Sequence, residues 1–439
     1  MANKEKAKKS AAKEAGFQSV KGMHDLLSEG ASLQEKIFKI GKDVLEFYNF
    51  SPIITPIVEP LGLFARTTGE ATDIVEKQMF TVKTKSSEML ALRPEFTPGI
   101  SRAYIEHSMS QMPHPVKLYT CGPLFRYEQP QAGRLRQFNQ IDAEIFSTEN
   151  DAIYDAQGII AAYRILDELK IKNIVLEINT IGCKTCRPVY RKALVAYYKS
   201  KEKDLCADCK RRLPINPLRL LDCKQEGCKP LKEGAPTTLD SICTPCKKHF
   251  KEVLEYLDNI NIPYSLNNFL VRGLDYYSKT VFELSTQTAE GEEHLGFALG
   301  GGGRYDYLVE ELGGKSTAAF GFALGVERII EVLRHRKILP STRTKEKVFL
   351  IHIGDMAKKR SLNLIETLRE ARIGVTESLG KESLGAQLRS ADKAGAPLAL
   401  IFGQKEAYEE SIIIRDMKTG AQEMVPLVKL ADMIKRKLS

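Results

Sequence analysis

The stretch from Cys121 to Phe146 constrains the fold of this chain more than any other part of its sequence. Its residues alternate between apolar and polar, as they do in a strand with one buried face. Proline and glycine at 129–133 interrupt the alternation and indicate a turn. We therefore predict a hairpin with one strand over 124–128 and a longer strand over 134–146. The longer strand is expected to have an apolar face and a polar face, formed by Ile141, Ala143 and Ile145 and by Gln140, Asp142 and Glu144.

The polar face of this hairpin has two interpretations. A face exposed to solvent is the simpler one, but lysine, which is common on exposed strands, is absent from the stretch. The stretch resembles motif 2 of the class II aminoacyl-tRNA synthetases, FRxE–loop–RxxxF on an antiparallel sheet. The resemblance implies that Arg126 holds the α-phosphate of ATP and that the loop meets the acceptor end of tRNA. The family usually has ERPQ where this chain has Glu128-Gln129-Pro130-Gln131, so Gln129 leaves the details of that contact open.

Length and composition are those of a globular protein with several domains. A chain of 439 residues, with 43% hydrophobic and 28% charged residues, suggests about three domains. No apolar run approaches the ~20 residues of a membrane helix, and the N-terminus lacks the apolar core of a signal peptide. We therefore expect a cytoplasmic protein with no membrane partner and a basic, solvated tail at 1–15. The net charge of +9 favours polyanionic partners such as nucleic acid.

Before the hairpin, the sequence predicts a helix and an interrupted strand. The helix is expected over 32–48, where Ser32 and Glu35 have the spacing of a capping box. The segment 50–57 favours β-structure but contains two prolines, which suits an edge strand or a subunit interface. Helix, strand and proline together resemble motif 1 of the class II synthetases. The resemblance implies a homodimer, because motif 1 forms the dimer in that family.

After the hairpin, the composition changes twice. A helix over 151–169 and a strand over 172–181 lead into a region rich in cysteine and lysine, and core-like material resumes after it. We therefore predict a catalytic domain in two parts, 16–170 and 263–335, an inserted domain at 171–262 and a linker at 336–347. Strands and helices alternate over 348–439, which predicts a small α/β domain with a largely parallel sheet.

An arginine in the first turn of a predicted helix, Arg328, is a candidate for anion binding. Cations are disfavoured at helix N-termini, so this placement is explained if a bound anion lies there. The alternative is an ion pair with Glu327 or with a surface acid. The stretch 318–328 resembles motif 3 of the class II synthetases, which implies that Arg328 holds the γ-phosphate of ATP.

Two stretches rich in glycine and tyrosine follow the cysteine-rich region. The first, 270–277, has a cation, an acid and two tyrosines after a strand, and the second, 300–306, has four glycines before an arginine and a tyrosine. The glycines indicate backbone that approaches a ligand or a neighbouring strand closely. The side chains suit either a pocket for a small amphoteric ligand or a tyrosine-lined turn that packs on the sheet. Both stretches are very similar to RGLDYY and GGRYD, the signature motifs of the histidyl-tRNA synthetase family, and the resemblance extends from about Phe17 to the C-terminus.

This resemblance implies a role for each matching residue. The residues implied to bind histidine are Glu95, Phe96, Thr97, Arg126, Gln140, Glu144, Arg272, Tyr276, Tyr277 and Tyr305. Those implied to bind ATP are Arg126, Glu128, Arg272 and Arg328. The three arginines are implied to be catalytic, because they would surround the phosphates while the histidine carboxylate attacks the α-phosphorus. With Mg²⁺ bound to ATP they would stabilise the developing charge, and the acyl group would then pass to the 3′ end of tRNA(His).

Eight of the nine cysteines lie between 183 and 246, in CxxC-like pairs. The pairs are Cys183/Cys186, Cys206/Cys209, Cys223/Cys228 and Cys243/Cys246. Because no export signal is visible, bound metal or free thiols are expected rather than disulfides. Thiolates at this spacing suit one or two structural Zn²⁺ sites, and free buried thiols are the alternative.

Taken together, the patterns and resemblances predict an α/β protein with an α+β catalytic core. The expected architecture is the class II synthetase antiparallel sheet flanked by helices, with an inserted domain and a C-terminal α/β anticodon-binding domain. The implied activity is the ATP-dependent attachment of L-histidine to its tRNA. One alternative is the regulatory subunit of ATP phosphoribosyltransferase, which resembles the catalytic core but lacks the C-terminal domain. Another is a zinc-dependent RNA-binding protein, which explains the cysteines but not the three arginines.

Overall fold

A computed structural model describes residues 17–68, 78–287, 298–338, 347–381 and 383–438. The chain forms two compact units, Met1–Pro340 and Ser341–Ser439. The predicted tail at 1–15 and most of the predicted linker at 336–347 lie outside the described residues. Among the described helices, none has both the length and the hydrophobicity needed to span a bilayer.

The first unit contains both helices and strands. Its described α-helices are α1 (Ser28–Phe47), α2 (Leu61–Thr68), α3 (Thr97–Glu106), α4 (Ile153–Glu168), α5 (Arg187–Lys199), α6 (Ala207–Ile215), α7 (Lys229–Glu233), α8 (Thr244–Asn259), α9 (Leu308–Glu311) and α10 (Val326–His335). Its described strands are β1 (Ser51–Pro52), β2 (Val58–Pro60), β3 (Thr81–Lys83), β4 (Met89–Leu92), β5 (Val116–Phe125), β6 (Gln137–Ser147), β7 (Ile174–Thr180), β8 (Ser265–Leu266), β9 (Ser278–Thr286), β10 (Gly300–Arg304) and β11 (Ala318–Gly325).

An eight-stranded sheet in the order β1-β5-β6-β11-β10-β9-β7-β8 forms the centre of this unit. Its interior strands pair antiparallel, while the short edge strands β1 and β8 pair parallel with their neighbours. A separate three-stranded sheet has the order β2-β4-β3. The predicted antiparallel sheet flanked by helices is therefore confirmed.

The predicted hairpin is the β5–β6 pair, with different bounds. Val116 pairs with Phe146, and Phe125 pairs with Gln137, so the first strand lies earlier than the predicted segment 124–128. It ends at Phe125, although the Arg126 N–H still donates across the hairpin to the Arg136 carbonyl over 2.9 Å, and the pairing is lost at the next residue. The Tyr127 N–H, for example, donates to the Gln78 carbonyl, 2.6 Å away, rather than to β6.

The two faces of β6 have different surroundings. Ile141, Ala143 and Ile145 pack into the larger core with apolar residues of α1, α4, α8 and α10. A second core contains Phe96 and Tyr305 together with apolar residues of α3, β5 and β9. The apolar face predicted for β6 is therefore confirmed, and its polar face carries the site described below.

Helix α1 starts earlier than the predicted position. It begins at Ser28, with Leu27 as its N-cap and no side-chain capping bond, so the predicted capping box of Ser32 and Glu35 is wrong. Gly30 and Leu33 are already buried within the first turns. Tertiary packing therefore extends the helix at its N-terminal end, so that it begins before the residue at which local capping would start it.

The region predicted as an insertion contributes to two cores. Strand β7 pairs with β9, and Val253 and Leu257 of α8 lie in the larger core. Between β7 and α8, helices α5 to α7 surround a separate core that includes Tyr190 and Leu213. The domain boundaries at 171 and 262 stay a prediction. The part from Cys183 to Cys243 is called the inserted segment below.

The second unit contains a five-stranded sheet in the order β13-β12-β14-β15-β16. Its strands are β12 (Lys347–His352), β13 (Gly374–Glu377), β14 (Leu398–Phe402), β15 (Ser411–Asp416) and β16 (Gln422–Pro426), and its described α-helices are α11 (Asp355–Glu370), α12 (Leu384–Lys393), α13 (Gln404–Tyr408) and α14 (Leu430–Leu438). Strands β12, β13 and β14 pair parallel, but β14, β15 and β16 pair antiparallel. The predicted largely parallel sheet is therefore wrong in its last two strands. A turn as short as that between β15 and β16 permits antiparallel pairing, because a parallel crossover needs about a dozen residues.

Candidate active site

A cavity lies on the polar face of β6, and residues of β10 and β11 also line it. The site residues implied by the resemblance line this cavity, apart from Phe96 and Glu144. The lining includes Glu95, Thr97, Arg126, Glu128, Gln140, Asp142, Arg272, Tyr276, Tyr277, Tyr305, Glu327 and Arg328. Phe96 is buried in the second core with the Arg93 guanidinium 4.4 Å from its ring centre, so its implied role stays a prediction.

The acidic end of the cavity is lined by Glu95 and Asp142, and Glu144 lies outside the lining; all three carboxyl groups are buried. Tyr276 donates a hydrogen bond to Glu95 over 2.7 Å, and Thr97 and Tyr305 both donate to Glu144 over 2.5 Å. Because Thr97 and Tyr305 line the cavity, these contacts place Glu144 directly behind the lining.

Burial gives these carboxyl groups unusual acidities. It raises the pKa of Glu95 to about 7, although the Tyr276 hydrogen bond lowers it. Burial likewise raises the pKa of Glu144 to about 8, against the hydrogen bonds from Thr97 and Tyr305. Burial and the neighbouring Glu144 hold the pKa of Asp142 well above its usual range. Three buried carboxyl groups with raised pKa values at one end of a cavity are typical of a functional site. Their oxygens suit a ligand that carries cationic or N–H groups.

Glycine at position 321 makes room for Glu144. Gly321 of β11 pairs with Glu144 of β6, and a Cβ at Gly321 would lie only 1.6 Å from Glu144 Oε2. No side chain fits there while Glu144 keeps this position. The sequence predicted a role for Glu144 but not this requirement, because it depends on cross-strand register.

The arginine end of the cavity is formed by Arg126, Arg272 and Arg328. The Arg126 Nε–H donates to the Pro94 carbonyl over 2.9 Å, and Arg272 pairs with Glu283 over 2.9 Å. Arg328 donates to the carbonyls of Gly133 and Ala298. These contacts orient the three guanidinium groups at the cavity.

Positive charge accumulates at this end. Burial lowers the pKa of Arg328, and the neighbouring Arg134 and Arg126 lower it further. The alternative of an Arg328–Glu327 ion pair is not observed among the described residues. Glu327 instead accepts hydrogen bonds from the backbone N–H and the side-chain amide of Asn139, at 2.9 Å each. Cations that crowd together in this way are favourable when an anion lies between them.

The four-glycine run forms the central strand β10, which packs against both neighbours. A Cβ at Gly302 would lie 2.0 Å from the Gly321 carbonyl oxygen, and one at Gly301 would lie 2.4 Å from the Phe282 carbonyl oxygen and 2.8 Å from an Arg272 nitrogen. The prediction that this backbone approaches its neighbours closely is confirmed.

A buried charge network next to the cavity escaped the sequence reasoning. Arg304 donates to Asp155 and, over 3.0 Å, to Asp306. His249 of α8 contacts the other oxygen of Asp155 at 2.9 Å. Burial raises the pKa of Asp155, but Arg304 and His249 outweigh this and lower it to about 2. Asp142 was also not predicted as a site residue, although its place between Gln140 and Glu144 on one strand face was a usable signal.

The eight paired cysteines form two separate clusters. The outer cluster, Cys183, Cys186, Cys243 and Cys246, joins the two ends of the inserted segment, and the inner cluster, Cys206, Cys209, Cys223 and Cys228, lies within it. In the outer cluster, Cys183 Sγ lies 3.6 Å from Cys186 Sγ and 3.9 Å from Cys243 Sγ, and Cys186 Sγ lies 3.8 Å from Cys246 Sγ. All nine cysteines are free. The clusters are nested, which the pairwise spacing in the sequence did not reveal.

Comparison with known proteins finds similarity along nearly the whole chain. A family model described as histidyl-tRNA synthetase matches residues 22–329, and one described as anticodon binding domain matches residues 347–437. The histidine–tRNA ligase of Aquifex aeolicus is 45% identical over 415 residues, which cover 94% of this chain and 100% of that protein. That of Thermodesulfovibrio yellowstonii is 43% identical over 421 residues, covering 96% and 99%. Among solved structures, apo histidyl-tRNA synthetase of S. aureus matches with a TM-score of 0.79 at 32% identity, covering 96% of this chain and 100% of that one.

Proposed function

Because the chain belongs to the histidyl-tRNA synthetase family and is a histidine–tRNA ligase, we propose that the acidic end of the cavity binds histidine and the arginine end binds ATP. The enzyme forms histidyl-adenylate and pyrophosphate from histidine and ATP, and then transfers histidine to the 3′ end of its tRNA. The substrate carboxylate is itself the nucleophile, so the protein needs to supply position and charge rather than a nucleophilic side chain.

The observation that carries this assignment is a pair of carboxylate oxygens at the acidic end. Glu95 Oε1 and Asp142 Oδ1 are buried and have no hydrogen-bond partner in the described part of the protein. Buried polar atoms are nearly always paired, so these oxygens fit a ligand that brings donors. The α-ammonium group of histidine supplies them to Glu95, with the Thr97 hydroxyl beside it. Gln140 lies on the same face of β6 and is assigned to the carboxylate side of the substrate.

Glu144, Tyr277 and Tyr305 are assigned to the imidazole ring. A carboxyl group held by Thr97 and Tyr305 is fixed in orientation and can accept a ring N–H. An amino acid without an N–H at that place would bury the Glu144 carboxyl group without this additional hydrogen bond, which is an effective way to reject it. Tyr276, which bonds to Glu95, forms a wall of the same pocket.

The three arginines are assigned to the phosphates. Arg126 and Arg272 would meet the α-phosphate, where the substrate carboxylate attacks, and Arg328 would meet the γ-phosphate. Charge that develops on phosphate oxygens is stabilised most by cations already in position. Mg²⁺ bound with ATP would add to this stabilisation. Glu128 and Glu283 offer carboxylate oxygens of the kind that Mg²⁺ prefers, beside the arginines.

Structural zinc in both cysteine clusters is part of the proposal. Tetrahedral coordination with Zn–S bonds of about 2.3 Å places the sulfurs about 3.8 Å apart. Four of the sulfur–sulfur separations, three in the outer cluster and one in the inner cluster, are 3.6 to 3.9 Å and agree with this value. The sulfur atoms of each cluster all lie within 4.8 Å of one another, and the four separations far exceed the ~2.05 Å of a disulfide. Elemental analysis of protein purified without added metal should give about two equivalents of zinc. Less than half an equivalent of any transition metal would favour free thiols.

A cytoplasmic homodimer is also part of the proposal. The edge strand β1 is followed by Ile54, whose side chain is 94% exposed, and Phe47 at the end of α1 is 83% exposed. Such apolar side chains beside a sheet edge suit an interface between two copies. Light scattering should give twice the mass of the chain.

A non-catalytic regulatory subunit is the alternative that the resemblance left open. A structure described as an ATP phosphoribosyltransferase regulatory subunit/histidyl-tRNA synthetase from Bacillus halodurans C is 19% identical, a likeness that shows the fold alone. The alternative does not account for the match of residues 347–437 to the anticodon binding domain.

The division of the cavity into two ends is tested by paired variants in a histidine-dependent ATP–pyrophosphate exchange assay. Glu95→Gln should raise the KM for histidine and leave the KM for ATP unchanged. Arg328→Ala should raise the KM for ATP and leave the KM for histidine unchanged. If both variants shift the same KM, the division into two ends is wrong.

A further inference from the structure

Strand β10 leads into the cavity with almost no side chains of its own. Four of its five residues, 300–303, are glycine, and the fifth is Arg304. Tyr305 follows at once, lines the cavity and donates a hydrogen bond to Glu144. Within β10, Arg304 is therefore the residue whose side chain can anchor this backbone to the helices that pack on the sheet.

The regular pairing of β10 with β9 ends just before Tyr305. Gly303 pairs with Val281 but Arg304 pairs with Ser278, so the register shifts between these two residues of β10. Irregularities of this kind occur beside active sites, where they change the direction of a side chain. A side chain directed in this way needs contacts other than the sheet ladder to hold it in place.

Arg304 makes such contacts on the side away from the cavity. Its Nε–H donates to Asp155 Oδ1 over 2.8 Å, and one terminal nitrogen donates to the same oxygen and, over 2.7 Å, to the Asp151 carbonyl. The Arg304 side chain is 1% exposed and that of Asp155 is fully buried, and neither residue lines the cavity. The guanidinium group therefore ties the end of β10 to the start of α4.

The residue after Tyr305 belongs to the same network. Asp306 accepts a hydrogen bond from the other terminal nitrogen of Arg304 over 3.0 Å and one from the Asn150 side-chain amide over 3.1 Å. Its backbone N–H donates to the Ser278 hydroxyl over 3.2 Å. Both chain neighbours of Tyr305 are thus held by buried contacts. A functional group needs such support, because it has to stay within about 0.5 Å of its productive position.

We propose that Arg304, held by Asp155, is a positioning residue for histidine recognition. It directs the Tyr305 hydroxyl at Glu144 and so fixes the carboxyl group that accepts the imidazole N–H. The inference rests on the assignment of Glu144 to the imidazole and deepens it, because it extends the control of histidine affinity to two residues that do not line the cavity.

His249 provides a matched control within the same network. It contacts the other carboxylate oxygen of Asp155 at 2.9 Å, but it belongs to α8 and is not a chain neighbour of Tyr305. His249→Gln therefore disturbs the same buried carboxylate from its other side. If the network only stabilises the fold, substitutions at His249 and at Arg304 should have the same kind of effect.

The experiment uses the full-length enzyme and histidine-dependent pyrophosphate exchange. Arg304→Lys keeps a positive charge in the buried site, but a single ammonium group cannot reproduce the planar set of contacts that the guanidinium group makes. Asp155→Asn is a second variant of the same contact and leaves Arg304 in place. Each variant is also combined with Tyr305→Phe, which removes the hydroxyl group that Arg304 is proposed to position.

Arg304→Lys should raise the KM for histidine about three- to tenfold, the effect of one weakened hydrogen bond, and leave the KM for ATP unchanged. Asp155→Asn should shift the histidine KM in the same direction. His249→Gln should lower the urea midpoint of unfolding and leave the histidine KM unchanged. In the Tyr305→Phe enzyme, Arg304→Lys and Asp155→Asn should raise the histidine KM no further, because residues that act through one contact are not additive.

Several outcomes would overturn the inference. Equal increases in the histidine KM from His249→Gln and Arg304→Lys would indicate a general effect of the network. A full effect of Arg304→Lys in the Tyr305→Phe enzyme would show that Arg304 does not act through the Tyr305 hydroxyl. An unchanged histidine KM in folded Arg304→Lys and Asp155→Asn, or the failure of both variants to fold, would assign the pair to stability alone. A wild type without histidine-dependent exchange would instead refute the assignment of the cavity.

Discussion

Replacing Gly321 by alanine should remove histidine activation although the change adds only a methyl group. The new Cβ would lie 1.6 Å from Glu144 Oε2, whereas a Cβ at Gly325, on the same strand, would have its nearest neighbour at 3.5 Å. Both glycines line the cavity. Gly321→Ala and Gly325→Ala therefore add the same methyl group on the same strand. They differ only in how close the nearest atom to that methyl group lies.

The expected magnitude follows from what Glu144 loses. Its carboxyl group would have to move away from Thr97 and Tyr305, and each hydrogen bond contributes about 1 kcal/mol. Overpacking of a closed site adds about 1–3 kcal/mol, so Gly321→Ala should destabilise the first unit by about 3–5 kcal/mol. Gly325→Ala should stay within about 0.5 kcal/mol, as for an ordinary contact. Loss of the group assigned to the imidazole should lower kcat/KM for histidine at least about a hundredfold.

Urea unfolding would measure the stability of both variants, and pyrophosphate exchange at varied histidine would measure activation. Exchange should be read below the urea concentration at which Gly321→Ala begins to unfold, so that activity and stability are separated. A folded Gly321→Ala enzyme with a histidine KM within about twofold of wild type would refute the reasoning. Equal effects of the two substitutions would show that the strand tolerates no methyl group anywhere.

Three further predictions concern the arginine end, the acidic end and the second unit. Arg272→Ala should abolish adenylate formation without unfolding the protein, because it removes a cation that lines the cavity; near-normal exchange in a folded variant would contradict this. The raised pKa of Glu95, about 7, means that its carboxyl group is neutral at lower pH, so the KM for histidine should rise about tenfold per pH unit below 7. Measurement of KM against pH checks this, with Glu95→Gln as the control that should lose the part of the pH dependence due to Glu95. A chain that ends at Lys345 should still activate histidine but charge tRNA poorly, since residues 347–437 match the anticodon binding domain. If a dimeric truncated enzyme charges tRNA as well as the intact one, that domain does not read the anticodon.

Local patterns predicted most of the elements that carry the site. The alternation in β6 and the arginine in the first turn of α10 depend on neighbours in the sequence, which a pattern of period two or 3.6 records. The start of α1 and the end of β5 did not follow from such patterns. Both are decided by distant contacts, namely the burial of Gly30 and the hydrogen bond from Tyr127 to Gln78.

The features that sequence reasoning missed join residues far apart in the chain. His249 and Arg304 meet Asp155 from 94 and 149 residues away, and no local spacing marks them as partners. The cysteines were recognised as pairs, but the combination of the first pair with the last one is a property of the fold. The need for glycine at 321 likewise exists because of its register with Glu144.

The outer cysteine cluster has a consequence for the evolution of the enzyme. It brings the entry and the exit of the inserted segment together. With the proposed zinc bound, it would fix the strand before the segment and the helix after it independently of what lies between them. The cost of closing a loop grows only with the logarithm of its length. Insertions and deletions within the segment should therefore be tolerated while β7 and α8 stay in place. The inserted segment can then change in length, and the pocket proposed to bind histidine need not change with it.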